Sequence, residues 1–355
     1  IGVNALGSDT TGGRTVAIGQ GALTTQNHTD GTTTYNVAVG YESGASVTTG
    51  VQNTIIGGLA GDAITSALGN TTVGYLSLSA ETQGKGSVAF GYHALRQQNI
   101  TSDSFVFNTA VGYSAGDGVT TGTLNTLIGG LAGDALTTGD SNVALGYNAL
   151  SADTKGARSV AIGRDALLSQ NFTTATNAIN VAVGDRSGDA ITTGIENTLI
   201  GGSSGSGLQD ADFNVAVGAS ALTADTLGSR SVAIGTSALQ TQNFTTATDT
   251  YNTAVGFQAG KAVTTGQRNT IVGGLAGDAI TTGERNTVLG ALALSEETTG
   301  EYSTAVGYQA LTVQNSTTGA SMYNTAVGYQ AGFSVTTGIQ NTLVGGLAGD
   351  VLTDA

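Results

Sequence analysis

A glycine that returns on a fixed count governs this chain. It closes a tetrad of the Val-Ala-Val-Gly type and occurs twenty times, from Gly2 to Gly345. Successive glycines lie 17 residues apart, except after Gly19, Gly91, Gly163, Gly235 and Gly307, where the interval is 21. Three short steps and one long step make a 72-residue super-repeat, running 19–90, 91–162, 163–234 and 235–306, with partial copies at 1–18 and 307–355. A period kept without slip implies one small unit stacked on copies of itself. Residues 1–355 therefore read as a single continuous repeat array with no separate domain.

Counting from this glycine as position 0, each column has a physical meaning. Position −1 is aliphatic apart from Phe90, and position −3 is Val or Thr. Such β-favouring residues at period 2 predict a short strand with one buried face. The glycine and a second turn such as Val47–Gly50 reverse the chain. Position +3 is always Ala or Ser, as in Ala22, Ser43, Ala60, Ser77 and Ala94, which predicts close backbone approach. Position −4 carries Asn at Asn36, Asn53, Asn70, Asn108, Asn125, Asn142, Asn180, Asn197, Asn214, Asn252, Asn269, Asn286, Asn324 and Asn341. At the strand spacing these amides predict a hydrogen-bonded ladder.

The expected fold class is all-β: a parallel β-solenoid, or β-roll, of about twenty coils, forming a rod about 95 Å long at ~4.8 Å per coil. With 56 Gly, no Pro, Cys or Trp and 10% charged residues, the composition suits thin stacked layers better than a thick core. The sequence begins and ends inside a repeat, which suggests the interior of a longer fibre or a unit that stacks end to end.

Position −2 is mostly Ala, but every fourth coil it is large: Ile55, Leu127, Leu199, Ile271 and Leu343. If −1 and −3 face inward, these five point outward as an apolar face. Strands apolar on both sides are usually covered on both sides. Burial against neighbouring copies around a three-fold axis is then expected.

The tetrads Ser159–Gly163 and Ser231–Gly235 (SVAIG), with Asn324–Gly332 (NTAVGYQAG), resemble two related groups of repeats. These are the heads of trimeric autotransporter adhesins and the NTAVGYQAL-type repeats of phage and viral tail fibres. The resemblance covers the whole chain and implies parallel β-rolls in an extracellular trimer. The adhesin period is shorter than 17, and their neck, stalk and membrane anchor have no counterpart here, nor does the fibres' chaperone domain.

Little chemistry is legible. His28 and His93 stand on different coils with no repeated acid or nucleophile and read as surface residues, and Glu296–Glu297 reads as a solvated turn. No catalytic residue, metal ligand or cofactor is expected. Asp62, Asp134, Asp278 and Asp350 resemble calcium-repeat aspartates, but four coils separate them, about 19 Å, too far to share an ion. A near-continuous Thr column at +8 (Thr48, Thr65, Thr82, Thr120, Thr137, Thr154) suits an ice- or glycan-binding plane, but long coils interrupt it. The net charge of −14, without a basic cluster, argues against nucleic acid, and no apolar run is long enough for membrane insertion.

The five long coils read QNHTDGTTTYN, QNITSDSFVFN, QNFTTATNAIN, QNFTTATDTYN and QNSTTGASMYN. Gln, Asn and Thr are kept while their surroundings vary, placing N-glycosylation acceptor patterns at Asn27, Asn99, Asn171, Asn243 and Asn315. The other reading is architectural, with Asn filling the Thr column and Thr bonding the bulged backbone. The expected function is a non-enzymatic structural fibre segment, extracellular or on a cell or virion surface. Its partner would be itself, as homotrimer or end-to-end filament, with a host-surface glycan or receptor as a further candidate. The alternatives are a glycosylated self-assembling surface filament and an ice- or glycan-binding solenoid.

Overall fold

The computed structural model describes residues 1–354, which contain strands and turns and no helix. The chain divides into two compact units, Ile1–Ile179 and the residues from Asn180 onward. Each is a parallel β-solenoid. The first stacks nine three-residue strands, from Val16–Ile18 to Val160–Ile162, and the second stacks ten, from Val181–Val183 to Thr342–Val344. Pairing is parallel and in register within each unit, with Val37 beside Thr54, Ala38 beside Ile55 and Val39 beside Ile56. Equal columns therefore lie above one another, and the repeat becomes a set of rows. A second narrow row of pairing runs along the other side of the coil, as Val51 with Leu68 and Gly156–Ala157 with Thr176–Asn177.

Two positions are restricted by their backbone geometry, the first of them to glycine. The position 0 glycines adopt φ of about 130–145°, and a Cβ on Gly40 would lie 2.3 Å from the Gly57 carbonyl oxygen. Any side chain there would strike the next coil. Position +4 is left-handed in every coil, with Leu at φ 50° in Leu23 and Gly at φ 59° in Gly44. No β-branched residue occupies that column, in keeping with the steric cost of αL for such side chains.

The strand faces are the reverse of the expected arrangement. Position −2 is buried: Ala38, Ala89, Ala110 and Ala182 are fully enclosed, and so are Ile55, Leu127, Leu199 and Ile271. Leu343, in the last strand, is half-buried. These five large residues thus belong to the chain's own interior rather than to an outward inter-chain face. Position +4 gives the reason. A Cβ on Gly44 would lie 2.8 Å from the Ile55 side chain, and one on Gly61 would lie 3.6 Å from it. Leu127 fills the equivalent space at Gly116 and Gly133, Leu199 at Gly205, Ile271 at Gly260 and Gly277, and Leu343 at Gly332 and Gly349. Where +4 is Leu, the following −2 residue is Ala, as in Leu23 with Ala38 and Leu95 with Ala110. Volume is conserved by exchanging a large residue between two columns, as close packing demands. Positions −3 and −1, expected in the core, face outward and are half-buried or exposed.

The asparagines at −4 are buried in both units, with Asn341 of the last strand partly so. They link coils through backbone more than through one another. Asn125 Oδ1 accepts the N–H of Asn142 at 2.9 Å, and its Nδ2 donates to the Gly139 carbonyl at 2.9 Å. Asn53 and Asn269 repeat the arrangement. Each side chain satisfies one donor and one acceptor that the turn leaves unpaired.

Candidate functional site

Two features stand out from the regular coil: the long-coil tripeptide and the outward face of the strands. The tripeptide is built on a buried carboxylate at +7 of the preceding coil. Glu81 Oε1 accepts the N–H groups of Thr82, Gln83 and Gly84 at 2.9, 3.0 and 2.6 Å, and that of Ile100 at 3.2 Å. Its Oε2 accepts Gln98 Nε2 at 2.7 Å. Gln98 also donates to Ser87 and accepts from Asn108, which ties the bulge to the asparagine row. Asp153 with Gln170, Asp225 with Gln242 and Glu297 with Gln314 repeat this geometry at 2.6, 2.5 and 2.8 Å. A carboxylate surrounded by this many N–H donors is stable without a cation.

The equivalent Asp9 lies nearest the start of the chain. Burial works against its charge, but hydrogen bonds from Gln26, Gly12 and His28 outweigh that and hold its carboxyl below the ordinary value. Glu297, read from sequence as part of a solvated turn, is instead fully buried. The signal was present at +7, which runs acid, Gln, aliphatic, aliphatic in Glu81, Gln98, Val119 and Leu136. His28, read as a surface residue, is buried as the middle residue of its tripeptide, while the His93 ring stacks on Tyr92 at 3.8 Å.

The tripeptide is thereby clamped with alternate residues in and out. The middle residue is buried in all five copies: His28, Ile100, Phe172, Phe244 and Ser316. Its N–H binds the carboxylate and its carbonyl accepts a threonine hydroxyl of the preceding coil, as Thr154 to Phe172 at 2.8 Å. Asn27, Asn99, Asn171 and Asn243 are exposed and Asn315 is half-buried, while Thr29, Thr101, Thr173, Thr245 and Thr317 are all exposed.

The threonine column at +8 spends its hydroxyl donors along the stack. Thr48 donates to the Thr65 carbonyl at 3.2 Å, Thr65 to Thr82 at 3.0 Å and Thr137 to Thr154 at 2.9 Å. These donors are therefore committed within the stack rather than free.

The calcium-like aspartates do not converge. Asp62, Asp134 and Asp278 are partly buried, and each leaves Oδ1 without a hydrogen-bond partner among the described residues. Burial raises the Asp134 carboxyl above its ordinary value, and the Asp117 charge in the preceding coil adds to this. An acid raised on folding carries a cost above its folded pKa that is relieved as pH falls toward the unfolded value. Ser206 stands in the same column of an equivalent coil. The variant Asp134→Ser should therefore raise the urea midpoint at pH 7 and give no gain at pH 3. An equal gain at both values would show that the charge is not the cause.

The outward sheet face carries an aliphatic row at −1 beside a row of Val or Thr at −3. In the first unit it carries Ile18, Ile56, Phe90 and Leu145 at −1, with Phe90 53% exposed. In the second it carries Ile200, Ile234 and Leu289. Tyrosines at +1 flank this stripe, and Tyr75, Tyr92 and Tyr113 stack at 5.8 and 5.2 Å. On the opposite margin, at −5, Arg and aromatic residues gather in part of the second unit: Arg230 lies over Phe213 and Tyr251, and Arg285 over Tyr302.

The stacked rows define the chain as a parallel β-solenoid repeat protein. No family model matches it, and no curated protein or solved structure does either.

Proposed function

We propose that this chain is a structural segment of an extracellular or virion-surface fibre, non-enzymatic, in which copies associate side by side through the outward face of their strands. The observation that carries this reading is that face: an aliphatic stripe edged by stacked tyrosines, with one apolar residue per coil at −1. A stripe repeating at the strand spacing is matched in period by another copy of the same stripe, so self-association is the economical way to cover it. Trimers of parallel β-rolls, which the NTAVGYQAG-type tetrads imply by resemblance, would bring three such faces around one axis. The buried carboxylates are saturated by N–H donors, so the acids beneath the long coils serve architecture rather than proton transfer.

Light scattering tests the proposal. The expected mass at micromolar concentration is three chains, and a monomer would overturn the three-fold reading. End-to-end polymers in electron micrographs would favour the filament instead. The paired variant Phe90→Glu and Leu145→Glu places two charges on the stripe and should yield the mass of one chain with an unchanged far-ultraviolet spectrum. A trimer that survives this change does not use the face.

A further inference from the structure

We infer that Asn27, Asn99, Asn171, Asn243 and Asn315 are N-glycosylation sites, so that each unit carries a single row of glycans, one every fourth coil. The inference is independent of how copies associate.

The structure separates the two readings of the tripeptide through the threonine. An architectural Thr would bond the bulged backbone, as Thr154 does when its hydroxyl donates to Phe172 O at 2.8 Å and Asn171 Oδ1 at 3.0 Å. The acceptor-pattern threonines do nothing of this kind. Thr29, Thr101, Thr173, Thr245 and Thr317 are exposed, and no hydroxyl among them makes a hydrogen bond within the described residues. Gln and the middle residue have structural duties, and Thr has none. Its recurrence five times beside freely varying neighbours is what an acceptor for sugar requires.

The asparagines are oriented to match. Each amide oxygen accepts a hydroxyl from the coil before it: Thr82 to Asn99 at 2.9 Å, Thr226 to Asn243 at 3.2 Å and Thr298 to Asn315 at 2.8 Å. No Nδ2 of the five has an acceptor among the described residues, so the oxygen is held and the nitrogen is left free. Within each unit the nitrogens recur every four coils, about 19 Å apart, which is room for a branched sugar on each.

The chain also contains its own control. Asn70-Thr71-Thr72 has the same acceptor pattern, yet Asn70 is fully buried. Its Nδ2 donates to the Gly84 carbonyl at 2.9 Å and its Oδ1 accepts the Ser87 N–H at 2.8 Å. A sugar there is incompatible with the folded coil.

The donor would be an oligosaccharide carried as its lipid diphosphate. Asn Nδ2 forms the bond to the anomeric carbon, the anomeric C–O bond to phosphate breaks and the lipid diphosphate departs. The amide proton passes to a base of the host transferase.

Two measurements test this. Protein from its natural source is treated with peptide N-glycosidase in heavy-oxygen water, and the Asn-to-Asp conversions are mapped by mass spectrometry. Label is expected at the five loop asparagines and not at Asn70. Unlabelled loops, or equal label at Asn70, would overturn the inference. In sugar-free protein made in bacteria, Thr101→Val should leave the melting temperature within about 2 °C, as for a surface change without contacts. A clear drop would give that threonine a structural role and overturn the inference as well.

Discussion

Replacing Asn125 by Ala is expected to lower the stability of its unit by about 2–6 kcal/mol, because it leaves two buried backbone groups unpaired at about 1–3 kcal/mol each. The Asn142 N–H loses its acceptor and the Gly139 carbonyl loses its donor, in an enclosed site. The N–H of residue 125 itself keeps its partner, Asn108 Oδ1, so the damage runs toward the following coil. Asn125→Asp should recover nothing near neutral pH, because its carboxylate would be buried with one donor and face the Gly139 carbonyl. It should regain part of the loss only at acid pH, where the protonated carboxyl can donate to Gly139. Solenoid coils contact mainly their neighbours, so the effect should be local. Hydrogen exchange read by mass spectrometry should show faster exchange across the coils holding Asn125 and Asn142, with distant coils of the unit unaffected. Exchange unchanged at Asn142 would mean that the asparagine row is not what holds that amide.

Much of this architecture was legible because the rows are columns of a strict period. The 17-residue spacing gave the parallel register, and Ala or Ser at +3 correctly marked a buried row of close approach. The asparagine column was placed where the structure has it, although its bonds run to backbone more than to neighbouring amides. The strand faces were misassigned, for a definite physical reason. Each strand of the main row is three residues long, so alternation is sampled once, and with Val or Thr at −3, Ala at −2 and an aliphatic at −1 its phase is ambiguous. Ala at −2 fits an interior or an interface equally well. What settles the phase is the exchange of volume between −2 and +4, seen in Leu95 with Ala110 and in Gly116 with Leu127. Neither column shows it alone.

The carboxylate beneath each bulge was hidden differently. Glu81 and Gln98 meet because they are 17 residues apart, a relation visible only once the stack exists. Glu297 then looked like one member of an exposed acidic pair. The tripeptide itself was legible as a motif. The idleness of its threonine was not, because a hydroxyl's lack of a partner is a statement about space.

The assignment of the large −2 residues to the interior has a sharp energetic consequence at Leu127. In wild type a Cβ on Gly116 would lie 2.7 Å from Leu127 Cδ1 and 3.0 Å from Leu95 Cδ2. Gly116→Ala alone should therefore cost about 1–3 kcal/mol from overpacking, plus about 1–2 kcal/mol for a Cβ in the left-handed region at φ 60°. Leu127→Ala alone empties a fully buried site and should cost about 2–5 kcal/mol. The two are not independent. In the Leu127→Ala background the closest clash disappears and the new methyl occupies part of the cavity, leaving the backbone cost and the tighter contact with Leu95 Cδ2. The double variant should be more stable than the sum of the single losses predicts by about 1–3 kcal/mol, the coupling of residues sharing one space. Were Leu127 on an outward face, its truncation in the isolated chain would cost well under that, and the two changes would simply add. Urea titration of the four proteins under conditions where the chain is monomeric therefore tests the orientation of the strand directly, separately from any contact between copies.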